Sequence, residues 1–286
     1  MRSWLYCPAD SPKKIVNAGI YGADGIVFDL EDSVTAEAKD QARILLCELL
    51  KTHDFGDAVL AIRINSMNTD NDEYWREDIL ACAEAYSREK SLVIRLPKVE
   101  SPEDIQLICR ELDAAEQQHG IIQGSIKLQC LLETPMGVEN AFLIAGASER
   151  IKAISFGAED YCTAMGIKRY GEAFVLDYPR SRIAAAAAAC GIESYDTVWG
   201  AYKDIEGLRA DAQRGRALGF CGKSVIHPDQ IGTVNEIYSW EEKDILWAKE
   251  VISSTAAQGK GAVGLDGIMI DKPVLERAQR ILRESD

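Results

Sequence analysis

Eight short runs rich in Val, Ile, Leu and aromatic residues alternate with segments of helical spacing along residues 3–238, and most of the runs end at or beside an ionisable side chain. These observations predict an α/β fold, a single (β/α)8 TIM barrel with its chemistry at the mouth formed by the C-terminal ends of the strands. The runs are SWLYCP (3–8), DGIVFDLED (24–32), AVLAIRIN (58–65), SLVIRLPKV (91–99), KLQCLLET (127–134), IKAISFGAED (151–160), SYDTVWG (194–200) and KSVIHP (223–228). They show little alternation of apolar and polar positions, as expected of strands covered on both faces. The helical segments are 11–22, 36–51, 74–90, 101–119, 136–148, 178–190, 203–218 and 228–238. Ser101-Pro102 followed by Glu103 and Asp104 places a cap, a first-turn proline and early acids where a helix N-terminus favours them. The run Ala184–Ala189 is a strong helix former with a stop at Gly191.

At 286 residues the chain can hold one large barrel or two ordinary domains. The uninterrupted alternation favours one barrel over 1–239, with 240–286 as a C-terminal helical extension. In that extension 240–257 reads as a helix, QGKGAVGLDG places four Gly in ten positions as a hinge, and MIDKPVLERAQRIL reads as a last helix. The barrel does not need this tail, which is available to cover the mouth or to reach a neighbouring subunit.

Composition narrows the function classes. A net charge of -14, from 32 basic and 46 acidic residues, disfavours nucleic acid and anionic membrane as partners. A local basic cluster can still receive an anionic substrate. The eight Cys are scattered with no CxxC pair, and no segment has the length of a signal peptide or a membrane helix. These features predict a reduced, cytoplasmic protein. The absence of GxGxxG, P-loop and Gly-x-Ser-x-Gly patterns removes the commonest nucleotide and hydrolase readings.

The residues at or past the strand ends are Asp10; Asp29, Glu31 and Asp32; Arg63; Lys98; Glu133; Asp160; Asp196; and His227. Such a density on one rim predicts a metal-dependent enzyme with an anionic substrate. Glu133 and Asp160 end the fifth and sixth strands, neighbours in a barrel, and two carboxylates plus water suit Mg²⁺ or Mn²⁺. The alternative is a strand-end charge before a proline turn and a helix cap. Arg63, inside an apolar run, either holds a substrate carboxylate or enolate oxygen or pairs with a carboxylate of the DLED segment. Alternation sets Asp29 and Glu31 on one side of their strand, as outer carboxylates for metal-bound water; the bland reading of Glu31 and Asp32 is helix capping. Asp271 precedes Pro273 and reads locally as a cap, or as an acid or base carried on the glycine hinge. His227 reads as a packed histidine, and His53 and His119 suggest no role.

Together RSWLYCP, DGIVFDLEDSV with Lys39 and Arg43 behind it, AIRIN, RLPKVESPEDI, LLETPMGV, ISFGAEDY, PRSRI, GLRADAQRGRALGFCGKSVIHPDQI and LDGIMIDKPV resemble the citrate lyase beta-subunit-like family. That family lies within the wider HpcH/HpaI aldolase and malyl-CoA lyase superfamily, and the resemblance covers nearly the whole chain. It implies a TIM barrel assembled as a homotrimer or hexamer, acting with Mg²⁺ on acyl-CoA thioesters, with CoA as part of the substrate. It implies metal ligation by Glu133 and Asp160 and binding of substrate oxygens by Arg63. Asp271 would be an acid/base contributed across a subunit interface, and Arg2 and Lys39 would lie near the substrate. The chain departs from the family pattern at Cys7-Pro8-Ala9-Asp10, where Pro-Gly and a polar residue are usual, and in SMNTDNDEYWRED after AIRIN. The expected reaction is carbon–carbon cleavage of a citryl-, malyl- or citramalyl-type thioester into acetyl-CoA or a homologue plus a 2-oxo acid, with an acyl-carrier protein as a further candidate partner. Thioester hydrolysis, or class II aldol cleavage of CoA-free 2-oxo acids, is the second reading. A non-catalytic subunit is disfavoured by the joint presence of Arg63, Glu133, Asp160 and Asp271.

Overall fold

Eight parallel strands close on themselves in the computed structural model, which describes residues 1–67, 74–86, 92–170, 172–258, 263–265 and 268–285. They are β1 (Ser3–Pro8), β2 (Gly25–Asp29), β3 (Val59–Arg63), β4 (Leu92–Leu96), β5 (Lys127–Leu132), β6 (Ile151–Phe156), β7 (Glu193–Asp196) and β8 (Gly222–Val225). Closure comes from β1, which pairs with β2 on one side and β8 on the other. Around them run α1 (Pro12–Asn17), α2 (Lys39–Thr52), α3 (Tyr74–Ala85), α4 (Pro102–Gln118), α5 (Pro135–Glu139), α6 (Ala141–Ala145), α7 (Ala158–Met165), α8 (Asp177–Cys190), α9 (Ile205–Ala217) and α10 (Asp229–Tyr238). The closed eight-stranded parallel barrel ringed by helices is the TIM-barrel architecture.

Local signals explain most boundaries. Ser101 caps α4 in a full capping box with Asp104, and Gly191, at φ 69°, ends α8 in the left-handed conformation. Two expectations change. The run 151–160 stops as a strand at Phe156, because Gly157 turns the chain into α7, whose first turn carries Glu159 and Asp160. The segment 136–148 divides into α5 and α6 at Asn140, whose ψ of 6° leaves the helical range. Residues 68–73 of SMNTDNDEYWRED, residues 87–91 of the third helical and fourth strand segments, and 259–262 and 266–267 of the glycine-rich stretch lie outside the described residues.

The barrel interior is graded. Trp4, Val27, Ala61, Val93, Ala153 and Tyr195 pack into one apolar cluster, with Trp4 and Tyr195 edge to face at 5.3 Å. Side chains two positions on point the same way along a strand. Those are Tyr6, Asp29, Arg63, Arg95, Ser155 and Thr197, so each apolar residue is followed toward the mouth by a polar one.

The chain divides into two units, Met1–Ile237 and Tyr238–Asp286. The second contains α11 (Glu242–Gln258), an antiparallel pair β9 (Val263–Leu265) and β10 (Ile268–Ile270), and α12 (Lys272–Ser285). Its core gathers Ala248, Val251, Ile270, Ala278 and Ile281. Among the described residues no helix is long and apolar enough to cross a membrane.

Asp196, expected on the rim, points outward instead, because Tyr195 takes the inward position on β7. It meets the Arg180 guanidinium at 2.9 Å and the Lys223 ammonium at 3.0 Å, and Asp211 completes the quartet at 2.7 and 2.6 Å from the same cations. The network ties α8 and α9 to β7 and β8. Burial pushes the Asp211 carboxyl up, but Lys223 and Arg180 outweigh it and hold the group well below the ordinary carboxylate range. Such a group stabilises the fold at every pH above its ordinary value of about 4 and loses that contribution as acid approaches the lower folded-state value. Asp211→Asn, which strands two buried cations on one carboxylate, is expected to lose about 3–5 kcal/mol near neutral pH. The gap to the parent should narrow below about pH 4, read by urea unfolding across pH.

Candidate active site

The mouth of the barrel opens into a cavity of about 390 Å³. Its walls are built by strand ends and the loops after them: Tyr6 and Pro8, Asp29, Asp32 and Ser33, Arg63, Leu131 and Glu133, Phe156 to Asp160, Thr197, and Ser224.

Arg63 is the organising cation. It ends β3 beside its register partner Asp29 and donates Nε and Nη2 to the two Asp29 oxygens, both at 2.7 Å. Its Nη1 meets Glu31 at 2.8 Å and Asp32 at 3.2 Å. The ion-pair reading of Arg63 with the DLED carboxylates therefore describes the chain, and Arg63 also lines the cavity. Asp29 accepts the amides of Glu31 and Ser33, which fixes the turn after β2. Burial acts to raise Asp29, but the Arg63 hydrogen bonds and charge prevail and hold it below the ordinary range.

Lys98 links this half of the mouth to the other. Its ammonium donates to Glu31 at 3.0 Å, and its backbone amide donates to Glu133 Oε1 at 2.8 Å. Lys98 has φ 51°, the left-handed region that a side chain disfavours, and this turn aims the amide at Glu133. On the far side Gly157 abuts Glu133: a Cβ built there would lie 2.5 Å from Glu133 Cβ and 2.7 Å from its Oε2. The next residues enter α7, where the Ala158 amide donates to Thr197 Oγ1 at 3.0 Å and Asp160 sits in the first turn. A carboxylate there is favoured by the positive end of the helix dipole.

Glu133 is 3 % exposed. Burial, then the Glu31 and Asp160 charges, push its carboxyl well above the ordinary range, with Arg63 only partly offsetting them. Glu31 is likewise raised, by burial first. Arg63 and Lys98 are already engaged by Asp29, Asp32 and Glu31, so Glu133 faces the Asp160 charge undercompensated. That donor chemistry fits a hard divalent cation. Among the described residues no three His, Cys, Asp or Glu side chains converge on one point. The residues that could hold such a cation are the two carboxylates Glu133 and Asp160.

Other expected residues are placed elsewhere. Arg2 does not reach the mouth of its own chain: it precedes β1 and pairs with Asp24 at 2.8 Å where β2 begins. The six residues of β1 separate it from the rim by about 20 Å. Lys39 spends its ammonium on the Leu30 and Glu31 carbonyls, each at 2.9 Å, so it positions the DLED turn. Asp271, in the second unit, accepts the Val274 amide at 3.2 Å and caps α12. His227 stacks on Tyr202 at 4.9 Å. The sequence sets Lys98 on the rim, but its hold on Glu133 and the positions of Tyr6 and Ser224 in the site are not visible there. The left-handed φ and the convergence of β1 and β8 on one cavity carry no local signal.

Two substitutions test this geometry. Lys98→Gly should be more stable than Lys98→Ala by about 1 kcal/mol in thermal unfolding, since glycine alone relieves the backbone. Gly157→Ala should keep the fold by circular dichroism while displacing the Glu133 carboxylate, lowering Mg²⁺ affinity by about tenfold or more in calorimetric titration.

Residues 2–228 match the family model described as HpcH/HpaI aldolase/citrate lyase. The citrate lyase subunit beta of Leuconostoc mesenteroides subsp. cremoris is 39% identical over 285 residues, covering 99% of this chain and 92% of that protein. The human mitochondrial citramalyl-CoA lyase is 33% identical over 289 residues, covering 97% of this chain and 83% of that protein. Among solved structures, CitE from Mycobacterium tuberculosis in complex with magnesium, acetoacetate and coenzyme A superposes with a TM-score of 0.77 at 29% identity, covering 99% of this chain and 97% of that one. The match runs through every strand of the barrel and its ionisable mouth: the chain belongs to the HpcH/HpaI aldolase/citrate lyase family, and it is a lyase.

Proposed function

We propose that the chain cleaves, reversibly, the carbon–carbon bond of a 3-hydroxyacyl-CoA of the citryl, malyl or citramalyl type. The products are acetyl-CoA or a homologue and a 2-oxo acid. The observation that carries this reading is the buried Glu133 carboxylate, undercompensated against the Asp160 charge, with both acids beside Arg63 in one cavity. Relatives named for citrate and citramalyl-CoA cleavage support it, as does a structural neighbour holding magnesium and coenzyme A.

Cleavage must remove a hydroxyl proton, break the bond and leave its electron pair on the thioester enolate. Glu31 accepts that proton, and burial, which holds its carboxyl above the ordinary range, makes it the stronger base. Lys39 and Lys98 hold Glu31 in place from backbone and side chain. Arg63, oriented by Asp29 and lining the cavity, presents its guanidinium to the oxygen on which charge develops, an interaction that can supply about 3 kcal/mol. Glu133 and Asp160 would hold Mg²⁺, or Mn²⁺ with the same oxygen preference, which would supply Lewis-acid polarisation of the substrate hydroxyl and carboxylate. Asp271 returns a proton to the enolate carbon, reaching the mouth of a neighbouring subunit in a cytoplasmic homotrimer or hexamer.

The test is mass-spectrometric product analysis of citryl-, malyl-, methylmalyl- and citramalyl-CoA with Mg²⁺, with and without a chelator. A shorter acyl-CoA plus a 2-oxo acid, formed only with the metal, is expected from at least one. Free CoA as the product would replace the lyase step with thioester hydrolysis. Four untouched substrates would overturn the CoA reading in favour of CoA-free aldol cleavage or a thioester on an acyl-carrier protein. Glu133→Gln and Asp160→Asn should each lower turnover more than about a hundredfold with the fold intact.

A further inference from the structure

A second guanidinium lies on the neighbouring strand inside the barrel. Arg95 on β4 is the register partner of Arg63 and is completely buried. Its Nε and Nη2 donate to Gln129 Oε1 at 3.1 and 2.7 Å, and its Nη1 donates to the Tyr6 hydroxyl at 3.1 Å and Ser224 Oγ at 3.3 Å. The Trp4 and Tyr6 rings lie 5.2 and 5.3 Å from it. Arg63 has three carboxylates on it; among the described residues Arg95 has none. A buried cation without a counter-charge is costly, and a barrel interior needs only apolar volume, so packing does not explain the charge.

The hydrogen bonds have a direction. A guanidinium only donates, so the Tyr6 and Ser224 oxygens accept from Arg95, and each hydroxyl still has its own O–H to give. Among the described residues neither hydroxyl donates to a protein group, and both line the cavity floor. Two donors backed by an unpaired cation form a complement to an anionic oxygen pair.

We propose that the floor of the cavity is a carboxylate subsite, with Tyr6 and Ser224 as the binding residues and Arg95 as the positioning residue that sets their donor direction. It rests on the function proposed above for the identity of the ligand, and it narrows the substrate class. With one carboxylate taken at the Glu133 and Asp160 pair, a second on the floor selects a 2-oxo dicarboxylate over a monocarboxylate.

The experiment is calorimetric titration of the full chain with oxaloacetate and with pyruvate in Mg²⁺ buffer, which needs no thioester. The parent should bind oxaloacetate at least about tenfold more tightly. Tyr6→Phe and Ser224→Ala each remove one O–H and leave Arg95 in place; each should weaken oxaloacetate by about tenfold and leave pyruvate unchanged. Arg95→Met should abolish the preference, and Arg95→Lys should recover part of it, which a purely space-filling role would not require. In turnover, the hydroxyl variants should raise KM for the dicarboxylate in the condensation direction with little change in kcat. Equal binding of the two acids by the parent, or a preference that survives both hydroxyl variants, would overturn the subsite, and either result stands even if Arg95→Met fails to fold. Selective oxaloacetate binding without thioester cleavage would retain the subsite and remove the CoA-thioester reading. Cleavage without selectivity would do the reverse.

Discussion

The paired hydrogen bonds between Arg63 and Asp29 are the contact on which the mouth of the barrel depends. Both groups are buried, and neither can leave without stranding the other's charge in a low-dielectric interior. Asp29 also accepts two amides from the turn that follows it, so the pair sets the direction of Glu31 and Asp32. Glu31 in turn receives Lys98, whose amide holds Glu133. One ion pair thus propagates through four strand ends to the carboxylate suited to the cation.

Beneath that network the interior changes character within one residue pair per strand. An apolar cluster around Trp4 and Tyr195 closes the barrel, and the next inward tier carries Asp29, Arg63, Arg95 and Ser155. Apolar packing below excludes water and strengthens every electrostatic contact above it. The carboxylates gather around Arg63 and Glu133, while Arg95, with no carboxylate on it among the described residues, stands behind Tyr6 and Ser224, so the site carries charge of both signs.

Placing Asp160 on the first turn of α7 gives the site a rigid second support. Thr197 holds the start of that helix from the neighbouring strand end, and Gly157 lets Glu133 approach it closely. Sites carried on helices and strands hold their geometry better than sites on loops. The Arg180, Asp196, Asp211 and Lys223 quartet performs the matching task outside the strands, where it fastens helices to the last two strands.

Much of this was legible in the chain. Strands buried on both faces leave continuous apolar runs, so all eight were visible, and Arg63 stood out as a charge inside one of them. Glu133 and Asp160 were readable as acids past strand ends. The start of α7 was hidden because Phe156-Gly157-Ala158 continues an apolar run, and Asp196 was misplaced because its direction depends on alternation from Tyr195. Arg2 is near the first strand in sequence but at its far end in space. Arg95 carried the same signal as Arg63, a charge within LVIRL, yet its meaning depends on partners 34 and 129 positions away. The sequence by itself determined which segments are buried strands and which side chains are too polar to be there without a reason, because burial cost is a property of each residue. Only barrel closure decided which charges meet, since ion pairs and shared cavities arise between residues that the chain keeps far apart.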